Sequence, residues 1–201
     1  EVEPEFYDGT VETDSGTVVA FAPTAAEPNA SFRRAPEPVG GWAVFVGRPY
    51  HFQAWSALLH GVRTGESPFR SVHGTDVWEY RAAHPEESAI FDAAMTDIMR
   101  RANAHLLEVF DFGRFATVCD VGGGRGAFLR AVLDAHPATR GILLDQAHVV
   151  AGVDAGERCE IVAGSFFEAV PAGADAYLLK AVLHDWEDAE ALRILARCRA
   201  A

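Results

Sequence analysis

The sequence has little positive charge, few cysteines and no long apolar run, and each shortage argues against a class of protein. Its 201 residues carry 17 Lys and Arg against 29 Asp and Glu, so the formal net charge is −12. Nucleic acids and anionic membranes select basic surfaces, so we expect neither as a partner. No run of about 18 apolar residues predicts a membrane span. The acidic start, Glu-Val-Glu-Pro-Glu, leads us to expect no secretory signal.

Cysteine is scarce and unpatterned. Cys119, Cys159 and Cys198 are odd in number and have no C-x-x-C spacing. This usage predicts a reduced, cytoplasmic chain in which the thiols are small buried apolar side chains.

A glycine-rich turn between a predicted strand and a predicted helix is the most informative stretch. Residues 117–129 read Thr-Val-Cys-Asp-Val-Gly-Gly-Gly-Arg-Gly-Ala-Phe-Leu. The apolar run before the glycines predicts a buried parallel strand, and helical spacing follows them. Glycine lets the backbone approach a nucleotide-like cofactor because it reaches positive φ and has no side chain. Gly122, Gly124 and Ala127 also fit the dinucleotide fingerprint, so a nicotinamide or flavin cofactor stays open here.

Hydrophobic periodicity divides the chain into three parts. In residues 1–41 the pattern predicts a β-hairpin followed by a proline-rich linker. The two strands cover residues 10–13 and 17–21, with a turn at Asp14-Ser-Gly, and we assign this part no function. Residues 42–112 are predicted to be helical, with one helix from Pro49 to a stop at Gly61 and a long one from Pro85. The long helix is expected to end at Asp111-Phe-Gly and presents one apolar face.

Residues 113–201 alternate between strand and helix. Predicted strands cover residues 116–121, 141–145, 159–162 and 174–180, and a helix starts near Glu187. Alternation of this kind predicts an α/β fold with a Rossmann-like parallel sheet and right-handed crossovers. Asp145 ends the second strand, where a carboxylate reaches cofactor ribose hydroxyls in doubly wound folds. Any adenosine cofactor would use it, so it does not separate the alternatives.

Three stretches together resemble the S-adenosylmethionine-dependent O-methyltransferases of plant phenolic and bacterial polyketide-tailoring metabolism. They are Asp120-Val-Gly-Gly-Gly, Leu144-Asp-Gln-Ala-His-Val-Val, and the run from Gly164 to Asp188 containing Leu-Lys-Ala-Val-Leu-His-Asp-Trp. The resemblance extends from about Trp55 to Cys198. It implies an O-methyltransferase with S-adenosylmethionine as cofactor and a small aromatic hydroxylated molecule as acceptor. A nicotinamide-dependent oxidoreductase and a non-catalytic cofactor-binding relative remain the alternatives.

The resemblance implies a role for each matching cofactor residue. The glycine turn would lie under the amino-acid end of the cofactor, Asp145 would hold the ribose, and the Ser165-Phe166 pair would flank the adenine. Relatives usually carry an aspartate where this chain has Ser165, so we expect a weaker adenine contact. The implied cofactor residues are Asp120, Gly122, Gly124, Asp145, Ser165, Phe166 and Lys180.

His184 is implied as the general base, and its chemistry supports that role. Transfer of a methyl group to a phenol needs removal of the phenolic proton, and a mostly neutral imidazole can take it. The alternative is that His184 is a histidine near a helix N-terminus with no catalytic role. Asp185 is predicted to be an N-cap, with Asp188 three residues on, and to orient His184.

The remaining implications concern the acceptor, metals and assembly. Phe91, Met95 and Trp186 are implied as acceptor contacts, although Met and aromatic residues at helical spacing equally fit a core. No metal site is predicted, because the residues from His184 to Asp188 follow the metal-free pattern of the family. Later strands and two acidic residues beside the base would lie beyond Ala201, so the chain is expected to be truncated. A homodimer is implied for the full-length protein.

Overall fold

The computed structural model describes residues 8–13, 16–21 and 40–201. The first two strands, β1 (Asp8–Thr13) and β2 (Gly16–Phe21), pair antiparallel, with Thr13 opposite Gly16. Both predicted strands are therefore present. The turn predicted at residues 14–15 and the linker predicted at residues 22–39 lie outside the described residues. Gly40 and Gly41 were also expected to be linker, but they begin helix α1 (Gly40–Val46), which corrects that prediction.

The chain divides into two compact units, residues 1–98 and 99–201, and the division falls within the long helix α6 (Pro85–Val109). The predicted change from a helical part to an α/β part at residues 112–113 remains a prediction. Among the helices that the structure describes, none is both long and apolar enough to cross a membrane.

Short helices build the first unit. They are α2 (Pro49–Ser56), α3 (Leu58–Thr64), α4 (Pro68–His73) and α5 (Val77–Ala83). Proline opens α2 and α4, where its missing N–H costs nothing. Asp76 caps α5, because its carboxylate accepts hydrogen bonds from the N–H groups of Trp78 and Glu79. The core of this unit consists of Phe45, Tyr50, Ala54, Phe69 and Ala94.

The single helix predicted from Pro49 to Gly61 is wrong. The helix breaks at Ala57, and Gly61 lies inside α3, whose C-cap residue is Gly65 with a φ of 76°. Gly61 does not end the helix; it is required because the loop packs closely against it. A β-carbon there would lie 2.7 Å from Pro68 Cγ and 3.0 Å from the Glu66 carbonyl oxygen. A local pattern cannot separate these two uses of glycine, since the second depends on a loop that folds back.

A four-stranded parallel sheet forms the centre of the second unit, as predicted. Its strands are β3 (Thr117–Val121), β4 (Arg140–Asp145), β5 (Cys159–Ala163) and β6 (Ala176–Leu178), in the order β5-β4-β3-β6. Val118 sits opposite both Gly141 and Ala176. The fourth strand is shorter than predicted, because it ends at Leu178 and a turn begins at Lys180. The long helix α6 also ends earlier than predicted, and Asp111 caps a short 3₁₀ turn at Phe112–Arg114.

Helices cover both faces of this sheet because successive strand residues point to opposite sides. Helix α7 (Ala127–Ala135) packs Leu129 and Leu133 on one face, against Val118 and Leu143. The short helix α8 (Ala147–Val150) follows β4, and helix α9 (Asp188–Ala200) places Cys198 on the other face. The residues of that second face include Cys119, Val121, Ile142, Leu144 and Val170. The carboxyl ends of β3, β4 and β6 therefore open at one edge, where the predicted cofactor residues follow them.

Candidate active site

The glycine turn after β3 has the backbone that only glycine adopts readily. Gly122, Gly124 and Gly126 have φ values of 71°, 60° and 74°. The Gly122 N–H donates to the Leu144 carbonyl oxygen at 2.8 Å, which ties the turn to the end of β4. A β-carbon on Gly122 would lie 2.9 Å from Val182 Cγ2 and 3.4 Å from Phe166 Cε1. We call this turn, residues 122–126, the cradle.

A buried carboxyl group lies directly below the cradle. The side chain of Asp120 is 2% exposed. A β-carbon on Gly123 would lie 2.6 Å from Asp120 Oδ2, so the second glycine is required for close packing on that carboxyl group. Burial raises the pKa of Asp120 to about 7; the Lys180 cation opposes this rise and Asp145 adds to it. Burial also lowers the pKa of Lys180, whose Nζ lies 5.6 Å from the centre of the Phe128 ring.

Asp145 joins the second strand to the cradle. Its Oδ2 accepts the Gly124 N–H at 2.7 Å, and its Oδ1 accepts the Gln146 N–H at 2.7 Å. Burial raises the pKa of Asp145, and these two backbone hydrogen bonds oppose the rise. The carboxylate retains lone pairs for further donors, so the predicted ribose contact is chemically available at this position.

The loop after β5 places the Phe166 ring beside the cradle, with Phe167 next to it. The Ser165 hydroxyl accepts the Phe167 N–H at 3.2 Å and so forms a local turn. Phe166 contacts the position of Gly122, and the centres of the Phe166 and Phe167 rings lie 4.9 Å apart. We call residues 165–167 the aromatic loop.

The turn that carries His184 begins at a strained residue. Ala181 has a φ of 55°, in the left-handed region that alanine disfavours. Val182 is buried at the cradle, and a 3₁₀ turn at Leu183–Asp185 follows. His184 Nε2 lies 3.3 Å from Asp185 Oδ1, and the His184 side chain is 68% exposed. We call residues 181–186 the histidine turn.

The predicted capping role of Asp185 is wrong. Glu187 is the N-cap residue of α9, and its side chain makes no capping hydrogen bond. Asp185 lies in the preceding 3₁₀ turn because the chain bends there before the helix starts. Its contact with His184 matches the predicted orienting role, which remains a prediction.

The three predicted acceptor residues lie in different surroundings. Trp186 meets the aromatic loop, with ring centres 4.6 Å from Phe167 and 5.9 Å from Phe166. Phe91 belongs to the first unit, where its ring lies 3.5 Å from the Arg81 guanidinium carbon and 5.3 Å from the Phe45 ring centre. Met95 packs against the same core cluster. Their contact with an acceptor remains a prediction.

Sequence reasoning missed three residues of the site. Val182 and Phe167 were not singled out, and Gly123 was considered only as part of the motif. The sequence offers one signal for Gly123: the dinucleotide fingerprint needs glycine only at positions 122 and 124, so a glycine between them indicates a further constraint. Across the described ranges, no group of three or more His, Cys, Asp or Glu side chains is arranged to hold a metal ion.

These features define a Rossmann-like nucleotide-binding domain. Helices cover both faces of a parallel sheet, a glycine turn follows the first strand, and a carboxylate ends the second. A sequence model of the O-methyltransferase domain matches residues 55–201, and the chain belongs to that family.

The similar proteins include methyltransferases named for mitomycin and neocarzinostatin biosynthesis. The chain is 42% identical over 167 residues to a mitomycin biosynthesis 6-O-methyltransferase of Streptomyces lavendulae, covering 80% of this chain and 48% of that protein. It is 39% identical over 175 residues to an 8-amino-8-demethylriboflavin N,N-dimethyltransferase of Streptomyces davaonensis, covering 83% and 50%. The structure of the O-methyltransferase NcsB1, from neocarzinostatin biosynthesis, superposes with a TM-score of 0.75 at 28% identity, covering 96% and 60%. That structure holds S-adenosylmethionine and 2-hydroxy-5-methyl naphthoic acid.

The chain spans about half the length of the curated relatives it matches. Family membership resolves the ambiguity of the glycine fingerprint in favour of a methyltransferase. A nicotinamide-dependent oxidoreductase, the alternative from the fingerprint alone, is not favoured.

Proposed function

We propose that this protein methylates a hydroxyl group of a small aromatic molecule with S-adenosylmethionine as cofactor and His184 as general base. The observation that carries the proposal is the contact of both Val182 and Phe166 with the Gly122 position. The base lies two residues beyond a side chain that touches the cradle. Family membership and the bound molecules of NcsB1 support the cofactor and the acceptor class.

The residues of the cradle fit this cofactor. Gly124 has a φ of 60° and nothing within 4 Å of its β-carbon position, so the backbone is bare where a ligand would lie. Asp145 would accept hydrogen bonds from ribose hydroxyls, and Ser165 with Phe166 would contact the adenine. Asp120 and Lys180 would set the charge below the amino-acid end. The bound cofactor supplies a methyl group on a positively charged sulfur, which becomes a neutral thioether after transfer.

His184 would take the phenolic proton as the acceptor oxygen attacks. Nε2 lies 3.3 Å from Asp185 Oδ1, so this carboxylate would favour the tautomer with the proton on Nε2, and Nδ1 would then carry the lone pair that accepts the phenolic proton. Asp185 would then stabilise the imidazolium cation that forms. A positioned base of this kind contributes roughly a hundred- to ten-thousand-fold in rate. Holding the oxygen in line with the methyl group supplies much of the rest.

Replacing His184 by alanine tests the base. We expect methyl transfer to 2-hydroxy-5-methyl naphthoic acid to fall by roughly a hundredfold or more. The dissociation constant of S-adenosylhomocysteine, measured by calorimetry, should stay within about threefold, because His184 lies outside the cradle. The matched control is His105→Ala, whose 71% exposed imidazole lies on α6. An unchanged rate in His184→Ala would contradict the assignment.

Transfer to an aromatic amine is the second candidate, because one relative is an N,N-dimethyltransferase. A neutral amine attacks with its own lone pair and loses its proton afterwards, so it depends less on a base. Methyl transfer to a phenol and to an amine on the same ring system, measured side by side, distinguishes O-methylation from N-methylation. For an N-methyltransferase, the amine is the better substrate and His184→Ala changes its rate by less than about threefold.

We further propose a homodimer and a cytoplasmic location. The three cysteines are free thiols, which supports a reducing compartment. Exposed apolar side chains on α2 and α3, Phe52, Trp55 and Val62 among them, provide surface of the kind that contacts another chain. Analytical ultracentrifugation tests the dimer.

A non-catalytic cofactor-binding relative would instead bind S-adenosylhomocysteine without turning over any hydroxylated aromatic.

A further inference from the structure

We propose that Trp186 is a positioning residue that fixes the histidine turn to the aromatic loop and thereby sets the location of His184. This inference rests on the proposed function, and it adds a role that the acceptor assignment of Trp186 does not contain. The role follows from the contacts of three aromatic rings and from the exposure of the base itself.

The Trp186 ring meets both rings of the aromatic loop edge to face. Its centre lies 4.6 Å from that of Phe167 at 87° and 5.9 Å from that of Phe166 at 84°. Both arrangements are within the roughly 4.5–7 Å range in which perpendicular aromatic pairs attract. Arg193 of α9 covers Phe167, with its guanidinium carbon 5.0 Å from the ring centre. Phe167 is therefore contacted both by Trp186 and by Arg193.

The other end of the histidine turn is held by the cradle. Val182 is 6% exposed, and its Cγ2 occupies the space beside Gly122. Phe166 contacts the same glycine, so cradle, aromatic loop and histidine turn form one closed set of contacts. The left-handed Ala181 starts the turn and persists because its neighbours are packed.

His184 lies between these two attachments and has little packing of its own. Its side chain is 68% exposed, whereas Val182 is buried and Trp186 is half-buried. A base with so few contacts takes its position from the backbone that carries it. Removing the indole would free one end of that backbone while leaving the other end attached at Val182.

Trp186→Ala should therefore reduce kcat for 2-hydroxy-5-methyl naphthoic acid by roughly ten- to a hundredfold, because a displacement of about 1 Å costs that much. The KM for the acceptor and the dissociation constant of S-adenosylhomocysteine should change by less than about threefold. Trp186→Phe keeps an aromatic edge and should restore most of the rate. The matched control is Phe110→Ala, which removes ring contacts of 4.7 and 6.3 Å with Phe112 and Phe115 before β3; it should leave kcat unchanged.

A fluorescence titration tests the same contact without turnover. S-adenosylhomocysteine should change the tryptophan emission of the native protein, and Trp186→Phe should lose most of that change while binding with the same affinity. The proposal is overturned if Trp186→Ala keeps the native kcat, if its loss appears equally in the acceptor KM, or if Trp186→Phe keeps the full emission change. Absence of both binding and transfer in the native protein would instead refute the proposed function.

Discussion

Gly122→Ala tests the contact on which the site depends. The new methyl group would lie 2.9 Å from Val182 Cγ2 and 3.4 Å from Phe166 Cε1, at a φ of 71°. A left-handed backbone costs an alanine about 1–2 kcal/mol. Crowding of the two side chains adds about 1–3 kcal/mol, because both are packed and must shift. We expect the free energy of unfolding to fall by about 2–5 kcal/mol in urea denaturation.

Gly152→Ala is the matched control for this variant. Gly152 has a φ of 69° and nothing within 4 Å of its β-carbon position, so it carries the backbone cost alone. The difference between the two variants then isolates the crowding at the cradle. Gly122→Ala should also weaken S-adenosylhomocysteine binding in calorimetry, and Gly152→Ala should not.

A double-mutant cycle identifies the crowded partner. Val182→Ala removes the atom nearest to the new methyl group, so it should cost less in the Gly122→Ala background than in the native protein. We expect a favourable coupling energy of about 1 kcal/mol or more. Equal destabilisation of Gly122→Ala and Gly152→Ala, with no coupling to Val182, would refute the packing of the histidine turn on the cradle.

Three further outcomes follow from single residues. Because burial raises the pKa of Asp120 from 3.8 to about 7, the folded state keeps a proton that the unfolded state loses, and stability should fall as pH rises through that window. Asp120→Asn should flatten this loss in urea denaturation; an equal slope would contradict it. Ala181→Gly should raise the unfolding free energy by about 1 kcal/mol, whereas Ala131→Gly, within helix α7, should lower it by a similar amount; a loss in both would contradict the strain. Ser165→Asp should tighten S-adenosylhomocysteine binding about three- to tenfold in calorimetry, because a charged acceptor strengthens the adenine contact, and unchanged affinity would argue against that contact.

Several features of the fold could be predicted because their causes are local. The apolar run before Gly122 and the helical spacing after Ala127 indicated a strand, a turn and a helix, and all three are present. Helix α6 starts at the predicted Pro85. Errors arose where distant residues decide the outcome: Gly61 accommodates Pro68 from a later helix, and a bend places Asp185 before the helix it was expected to cap.

The site residues divide in the same way. The positions of Asp145 at the end of β4 and of His184 in the segment after β6 followed from motif spacing, because parallel strands end at a common edge. The contact of Trp186 with Phe167 could not be predicted, because nothing in either segment specifies the other. A buried Asp120 was recognisable in the motif, but its raised pKa depends on the glycine packed above it and on the whole surrounding core.

The amino-acid sequence by itself determined the strand, glycine turn and helix of the nucleotide-binding half, because backbone preference and hydrophobic period act over a few residues. It also carried the motif that marks the family. Only the tertiary structure decided that Val182 and Phe166 meet at Gly122 and that the Trp186 ring contacts Phe167. Those contacts join segments distant in the chain, and steric fit between them exists only after the sheet has assembled.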